Sequence, residues 1–174
     1  DESNGIGAAG EIVFLSGNGP LVTVLSEALA RDHVARSKED GEPISKDHAK
    51  RLAKGFIQNI HHFRDDNLKT EIPPHDRVVI FDESQRAWNK EKLQTFMNER
   101  GGLREEFKEM SEPDLLISVM DRHQDWCVIV CLVGGGQEIN RGEAGISTWI
   151  ESMDTKYKDW KVYVSNEINL PEYS

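Results

Sequence analysis

The residue pattern with the clearest chemistry is a short apolar run that ends in a pair of carboxylates. Residues 78–83 read VVIFDE, so four apolar residues are followed by Asp82 and Glu83. A buried strand of this kind can hold Asp82 rigidly beside a Mg²⁺ ion, while Glu83 polarises a water molecule for attack on a γ-phosphate. An ordinary strand that ends in a solvated acidic turn has the same sequence pattern. The hexapeptide alone therefore leaves both interpretations open.

The residues that follow this pair favour the phosphate chemistry. They are Ser84, Gln85 and Arg86, and the resulting D-E-S-Q-R resembles motif II of superfamily-one helicases, which contains the Walker B carboxylates. The resemblance implies that the glutamine couples the bound nucleotide to the following motif. We therefore expect Asp82 to bind Mg²⁺, Glu83 to act as the catalytic base and Arg86 to contact the nucleotide.

A second apolar run ends in glycines and a glutamine. Residues 128–133 read VIVCLV and lead into GGGQE, which resembles helicase motif III. A glutamine amide there can donate a hydrogen bond to a γ-phosphate oxygen and lose that partner after hydrolysis. We expect Gln137 to act as this sensor and Gly136 to lie against the nucleotide. A dinucleotide-binding loop is excluded because Ile139 stands where its third glycine belongs, whereas an ordinary glycine-rich turn stays an alternative.

Weaker similarities precede these motifs. Residues 14–20 (FLSGNGP) resemble motif Ia, which contacts the backbone of a bound nucleic acid, and N–H groups at a helix N-terminus do attract phosphates. Asn18 and Gly19 are therefore candidate nucleic-acid contacts, although a capped strand-to-helix turn explains these residues equally well. Residues 59–64 (NIHHFR) resemble the His-containing segment that follows motif Ia, which adds His61 as a candidate. Neighbouring histidines on a strand would face opposite sides and make a poor metal pair.

The elements that must position these residues alternate along the chain. Apolar runs predict strands at residues 11–16, 56–60, 78–81, 127–133 and 161–165. Continuous Val- and Ile-rich runs are typical of strands buried on both faces of a parallel sheet. Helical patterns lie between them, with starts predicted after Asn18, Ser45, Asn89 and Ser111 and a last helix around residues 146–153. We therefore predict an α/β fold that is doubly wound, with a mostly parallel sheet of about five strands and a charged loop at residues 36–47.

Length and hydropathy limit the classes of protein to which this chain can belong. A chain of 174 residues suits one domain. We predict a flexible lead-in or a cloning-derived end at residues 1–10, which are polar and glycine-rich, and one α/β domain at residues 11–174. No apolar run approaches the ~20 residues of a membrane span, and no secretory signal is visible. We therefore expect a cytoplasmic protein with no membrane partner.

Charge and cysteine content add further limits. The formal net charge of −10 makes the surface a poor non-specific binder of nucleic acid, because such binding depends on Lys and Arg that neutralise phosphates. Any binding of a nucleic-acid strand must therefore come from a local surface patch or from sequence outside this chain. Cys127 and Cys131 lie too far apart on one strand to form a disulfide. We expect both to be buried free thiols, with no zinc ligands nearby.

The segments resembling motif Ia, the His segment, motif II and motif III occur in that order. Residues 115–140 and 160–165 further resemble a bacterial family of predicted DNA/RNA helicases related to the Schlafen helicase domain, and the similarity extends from residue 11 to residue 165. This resemblance implies a RecA-like P-loop NTPase core that uses ATP and Mg²⁺ and acts on DNA or RNA.

One departure from that family is large. The family's domain begins with a strand and a G-x-x-x-x-G-K-[ST] phosphate-binding loop (Walker A), and these residues contain no such motif; residues 5–10 (GIGAAG) have no lysine. We therefore expect a partial core whose first strand is missing. Its partners would be an N-terminal P-loop segment and a second motor domain, and its open sheet edge would favour self-association. The alternative is a non-catalytic, degenerate P-loop module that serves protein–protein contact or weak nucleotide binding.

Overall fold

The structure, a computed structural model, describes residues 11–99, 107–134 and 141–166. Strands and helices alternate along the described chain, which confirms the α/β class. The strands are β1 (Ile12–Ser16), β2 (Ile57–Asn59), β3 (Val78–Phe81) and β4 (Val128–Cys131). The helices are α1 (Gly19–Glu39), α2 (Lys46–Phe56), α3 (Ile60–Asn67), α4 (Lys90–Asn98), α5 (Glu112–Met120) and α6 (Gly145–Thr155). The predicted lead-in at residues 1–10 lies outside the described residues.

The described strands form one parallel sheet in the order β2-β1-β3-β4. In the centre of this sheet Phe14 pairs with Ile80 and Leu15 with Phe81. Alternate residues of β1 and β3 are fully buried and the residues between them are more exposed. The prediction of strands buried on both faces is therefore confirmed for one face only. β4 stands at the end of the described order, and its side chains are more exposed still.

Side-chain caps set the helix starts where the sequence predicted them. The side-chain oxygens of Asn18, Ser45 and Asn89 accept backbone hydrogen bonds at the starts of α1, α2 and α4. Such caps satisfy N–H groups that have no partner within the helix. The predicted loop at residues 36–47 is shorter than expected, because α1 continues to Glu39. An ion pair between Arg36 and Asp32 one turn earlier supports this last turn.

Two predictions from apolar pattern were wrong. Residues 161–165 form no strand, and Val162, Tyr163 and Val164 are largely exposed. A short apolar run becomes a strand only when another strand supplies hydrogen-bond partners, which the local pattern does not guarantee. The described sheet accordingly has four strands and not five. The strand predicted at residues 56–60 is shorter than expected: β2 is Ile57–Asn59, and the next residues begin α3, where the Asn59 side chain accepts from the His61 N–H at 2.9 Å.

The chain divides into two compact units, which we name by position. Among the described residues, the first unit comprises those within 1–82 and 120–130, and the second comprises those within 83–119 and 131–174. In the first unit, β1 to β3 carry a core that includes Val13, Leu15, Val79 and Phe81, and α1 packs on α2 through small alanines. In the second unit, α5 is buried on nearly all sides and Trp149 of α6 is buried. None of the helices in the described part of the chain combines the length and the apolar character that a membrane span requires.

Both cysteines are free thiols, as expected. They are half-buried, which is less than the sequence suggested. Burial raises the pKa of Cys131 to about 11, although a hydrogen bond with Ser84 opposes the shift. The thiol is therefore protonated and unreactive near neutral pH.

A buried carboxylate ties the ends of two helices together in the second unit. Asp114 accepts hydrogen bonds from Ser111 Oγ at 3.1 Å, Ser152 Oγ at 2.7 Å and Lys156 Nζ at 2.8 Å. The Ser111 N–H also donates to it, which completes the predicted capping box of α5. Burial alone would raise the pKa of Asp114, but the hydrogen bonds from Lys156 and Ser152 outweigh it and hold the pKa below its usual value.

We expect Asp114→Asn to destabilise the protein by about 2 kcal/mol at pH 7, because it removes a charged acceptor from a buried network. The folded-state pKa is depressed, so the contribution is present above the unfolded pKa and is lost as the pH falls through the folded pKa. Urea unfolding followed by tryptophan fluorescence gives the free energy of unfolding of each protein. The difference in this free energy between wild type and variant should shrink as the pH is lowered from 7 towards 3. Asp125→Asn, which removes an exposed partner of Arg77, is the control. A difference that stays constant with pH would contradict this role.

Candidate functional site

The first part of the site stands where interior strands end. Asp82 directly follows β3, and its N–H donates to the Leu15 carbonyl at 2.9 Å, which extends the ladder by one residue. β3 is an interior strand with β1 on one side and β4 on the other. The two apolar runs that precede the predicted motifs II and III are thus neighbours, as predicted. Open α/β sheets bind ligands at this carboxyl end of their strands.

A serine that the sequence reasoning missed fixes the Asp82 carboxylate. Ser16, the last residue of β1, donates from Oγ to Asp82 Oδ2 at 3.0 Å and is 2% exposed. Its Oγ also accepts from the Asn18 N–H at 3.2 Å. The strand register accounts for this contact. Leu15 pairs with Phe81, so the next residues along the two strands, Ser16 and Asp82, come together. Each run ends in a polar residue, but only the pairing shows that they are partners.

The predicted nucleic-acid contacts gather at the same edge of the first unit. Asn18 Oδ1 accepts from the Leu21 N–H at 3.1 Å and caps α1. Ser16 pairs with Asn59 across β1 and β2, and Asn59 in turn caps the helix that carries His61. Gly19 lies at the start of α1, where an added Cβ would meet only ordinary contacts. The capped-turn interpretation describes this geometry fully, and a nucleic-acid role for these residues stays a prediction.

The second carboxylate has an unusual backbone. Glu83 has φ 49° and ψ 47°, and it is the only non-glycine residue with positive φ within the described ranges. Such a left-handed conformation costs roughly 1 kcal/mol and often marks functional sites. A hydrogen bond from the Ser84 N–H to the Leu132 carbonyl, at 2.9 Å, holds the turn that follows. The strained residue is therefore supported from outside its own turn.

In the second unit, Arg86 joins two carboxylates. Its Nη1 donates to Glu83 Oε2 at 2.9 Å, and its Nε donates to Glu143 Oε1 at 3.4 Å. The hydrogen bond to Glu83 and the negative charge of Glu143 raise the pKa of Arg86. Arg86, which was predicted to contact the nucleotide, therefore has two carboxylate partners in this structure. Glu143 was not predicted, and no motif in the sequence pointed to it.

Gln85 connects the turn after β3 with the start of the glycine run. Its side chain is buried, and its Oε1 accepts from the Gly134 N–H at 3.3 Å. Its Nε2 has no hydrogen-bond partner within the part of the chain that the structure describes. Ser84 supports the same turn, because its carbonyl accepts from Trp149 Nε1 at 2.9 Å. The contact joins the segments that resemble motifs II and III, and the coupling role assigned to Gln85 stays a prediction.

The predicted sensor residues Gly136 and Gln137 lie outside the described residues. Among residues 11–99, 107–134 and 141–166 there is no group of three or more His, Cys, Asp or Glu that could hold a metal alone. Mg²⁺ does not need one, since it is commonly bound through one or two carboxylates together with substrate phosphates and water. The oxygen donors of Asp82 and Ser16 fit that chemistry.

Comparison with known proteins bears on the family. The model of one protein family, described as Schlafen group 3, DNA/RNA helicase domain, matches residues 6–173. That range covers nearly the whole chain and includes every motif discussed above. No curated protein and no solved structure matches the chain. A bacterial origin stays a prediction. On this match, the chain belongs to the Schlafen group 3 DNA/RNA helicase domain family, the relationship that its motifs had indicated.

Proposed function

We propose that this chain is part of the motor core of an ATP-dependent DNA/RNA helicase and supplies the Walker B carboxylates and the γ-phosphate sensor. One observation carries the proposal: Asp82 and Glu83 directly follow an interior parallel strand in a chain of a helicase-domain family. Ligands of open α/β sheets bind at that end. The Gln85–Gly134 hydrogen bond adds support, because it links the two segments that would respond to nucleotide.

Each residue of the site has a distinct role in this proposal. Asp82, oriented by the Ser16 hydroxyl, would hold the Mg²⁺ of ATP·Mg, an ion that when bound neutralises charge on the phosphates. Glu83 would accept the proton of the attacking water at its carboxylate. Gln137 would donate to the γ-phosphate, with Gly136 beside it, and Gln85 would pass the change to motif II.

Nucleic acid is the partner that the family implies. We propose that Asn18, Gly19 and His61 contact the backbone of the nucleic acid. All three residues follow the carboxyl ends of β-strands on one edge of the first unit. The formal charge of −10 argues that these contacts do not bind nucleic acid tightly by themselves. The P-loop segment and a second motor domain would supply the remaining contacts.

A second candidate function is a non-catalytic module that works through protein–protein contact. The observation that favours it is the exposure of β4, the last strand of the described order, where Val128 and Val130 are 43% and 37% exposed. Apolar edge strands pair readily with other chains. The two functions are separated by measuring ATP hydrolysis by the full-length protein with and without DNA or RNA.

We expect Glu83→Gln in the full-length protein to lower the nucleic-acid-stimulated kcat by at least about 100-fold while ATP still binds, because an amide cannot act as a base. Hydrolysis is followed by phosphate release and binding by titration with a fluorescent ATP analogue. Glu27→Gln, which removes a carboxylate from the surface of α1, is the matched control and should leave kcat unchanged. An unaltered rate in Glu83→Gln would remove Glu83 from this role.

For the polypeptide of residues 1–174 alone, we expect weak ATP·Mg binding and negligible hydrolysis. The sequence has no G-x-x-x-x-G-K-[ST] loop, so the β- and γ-phosphates lack the backbone cradle and the lysine that bind them in such proteins. Isothermal titration calorimetry measures the affinity. Micromolar binding by this polypeptide would show that the phosphate site had been misassigned.

The same polypeptide should self-associate through β4. Val130→Lys places a charge on the exposed strand and should shift the protein towards monomer, since charged side chains block edge pairing. Val24→Lys, on the exposed side of α1, is the control and should have no such effect. Light scattering over a range of concentrations gives the result, and a wild-type protein that stays monomeric throughout would refute self-association.

A further inference from the structure

We infer that Glu143 is a positioning residue for the proposed catalytic base, acting on Glu83 through Arg86. The inference rests on the proposed function and adds a residue to it. The three side chains form a continuous chain in the second unit, from Glu143 Oε1 to Arg86 Nε at 3.4 Å and from Arg86 Nη1 to Glu83 Oε2 at 2.9 Å. Arg86 is thus held at two points of its planar fork, which fixes the direction in which it presents its charge.

Of these three contacting side chains, Glu143 is the buried one. Its side chain is 8% exposed, against 45% for Arg86 and 37% for Glu83. A buried carboxylate is costly unless a cation pairs with it, and Arg86 is such a cation. Burial also restricts the motion of Glu143, so it can serve as the fixed end from which the more exposed side chains are oriented.

Backbone contacts fix the position of Glu143 relative to the turn that bears Arg86. Glu143 forms an antiparallel bridge with Trp88, flanked by hydrogen bonds from Ala144 N to Ala87 O at 2.7 Å and from Asn89 N to Gly142 O at 2.9 Å. Gly142 has φ 91°, and a Cβ there would lie 2.9 Å from Lys92 Cδ, so the segment requires glycine. Both ends of the Arg86–Glu143 contact therefore belong to one backbone framework.

The contact with Arg86 comes from the turn that follows Glu83. Glu83 sits in a left-handed conformation before a single 3₁₀ turn, Ser84–Arg86, and the last residue of that turn holds its carboxylate. A general base acts well only when its carboxylate is held within hydrogen-bond reach of the proton that it takes. An anchored guanidinium limits the rotamers of Glu83 without needing to touch the substrate itself.

The test uses the full-length protein and the variant Glu143→Gln, which keeps the shape of the side chain and removes its charge. We expect kcat for nucleic-acid-stimulated ATP hydrolysis to fall about tenfold, the usual size of an outer-shell effect, with KM for ATP unchanged. The double variant Arg86→Gln/Glu143→Gln should be no slower than Arg86→Gln alone, because both residues act along one path. If the two substitutions lower kcat independently, so that the fold-losses multiply in the double variant, the inference is overturned. A rise in KM with kcat unchanged overturns it as well.

A matched control removes a similar pair elsewhere. Asp125 accepts from Arg77 Nη1 at 2.6 Å, on the amino side of β3 and within the first unit. Asp125→Asn deletes an arginine–carboxylate pair of the same type, and it should leave kcat and KM unchanged. If Glu143→Gln fails to fold, Arg86→Lys replaces it, since this exposed side chain keeps its charge and loses only the fork. The expected fall in kcat is the same, and an unchanged kcat overturns the inference.

A measurement without ATP separates this inference from the proposed function. The Nε–H signal of Arg86 in ¹⁵N NMR spectra should shift in Glu143→Gln and in Glu83→Gln, and it should not shift in Asp125→Asn. If the Arg86 signal does not shift in Glu143→Gln, the inference is overturned, even when the wild-type protein hydrolyses ATP. A wild-type protein without nucleic-acid-stimulated hydrolysis, but with an Arg86 signal that responds to both variants, overturns the proposed function and supports the Glu83–Arg86–Glu143 contact.

Discussion

Parallel pairing of β1 with β3 is the constraint on which the candidate site depends. The register that sets Leu15 against Phe81 brings the next residues, Ser16 and Asp82, into hydrogen-bond contact at the carboxyl edge of the sheet. Because successive side chains on a strand alternate between faces, a slip of one residue would turn Asp82 away from Ser16. The buried faces of both strands resist such a slip, since Leu15 and Phe81 would lose their apolar surroundings.

A second constraint follows at once along the chain. Glu83 takes a left-handed backbone, and the turn after it is held by contacts that come from residues far away in sequence. Gln85 reaches the start of the glycine run, and Arg86 reaches Glu143 just beyond that run. The turn after Asp82 therefore contacts the chain at Gly134 and again at Glu143.

The sequence by itself determined the family, the class of the fold and most element positions. The order of the motifs indicated the Schlafen-related helicases, and the family match over residues 6–173 confirmed that relationship. Val- and Ile-rich runs gave β1 to β4, and capping residues such as Ser45 and Asn89 gave helix starts, because caps act over three or four residues. The juxtaposition of the runs before Asp82 and before the glycines was likewise expected from parallel-sheet topology.

Only the tertiary structure decided what depends on contacts between distant residues. Residues 161–165 have the composition of a strand but no strand geometry, since a strand exists only with a hydrogen-bonded neighbour. Ser16 and Glu143 carry no signal in their local sequence; their importance comes from partners at positions 82 and 86. Local propensity acts within a few residues, whereas the geometry of a site is set by sheet register and burial, which no short window of sequence contains.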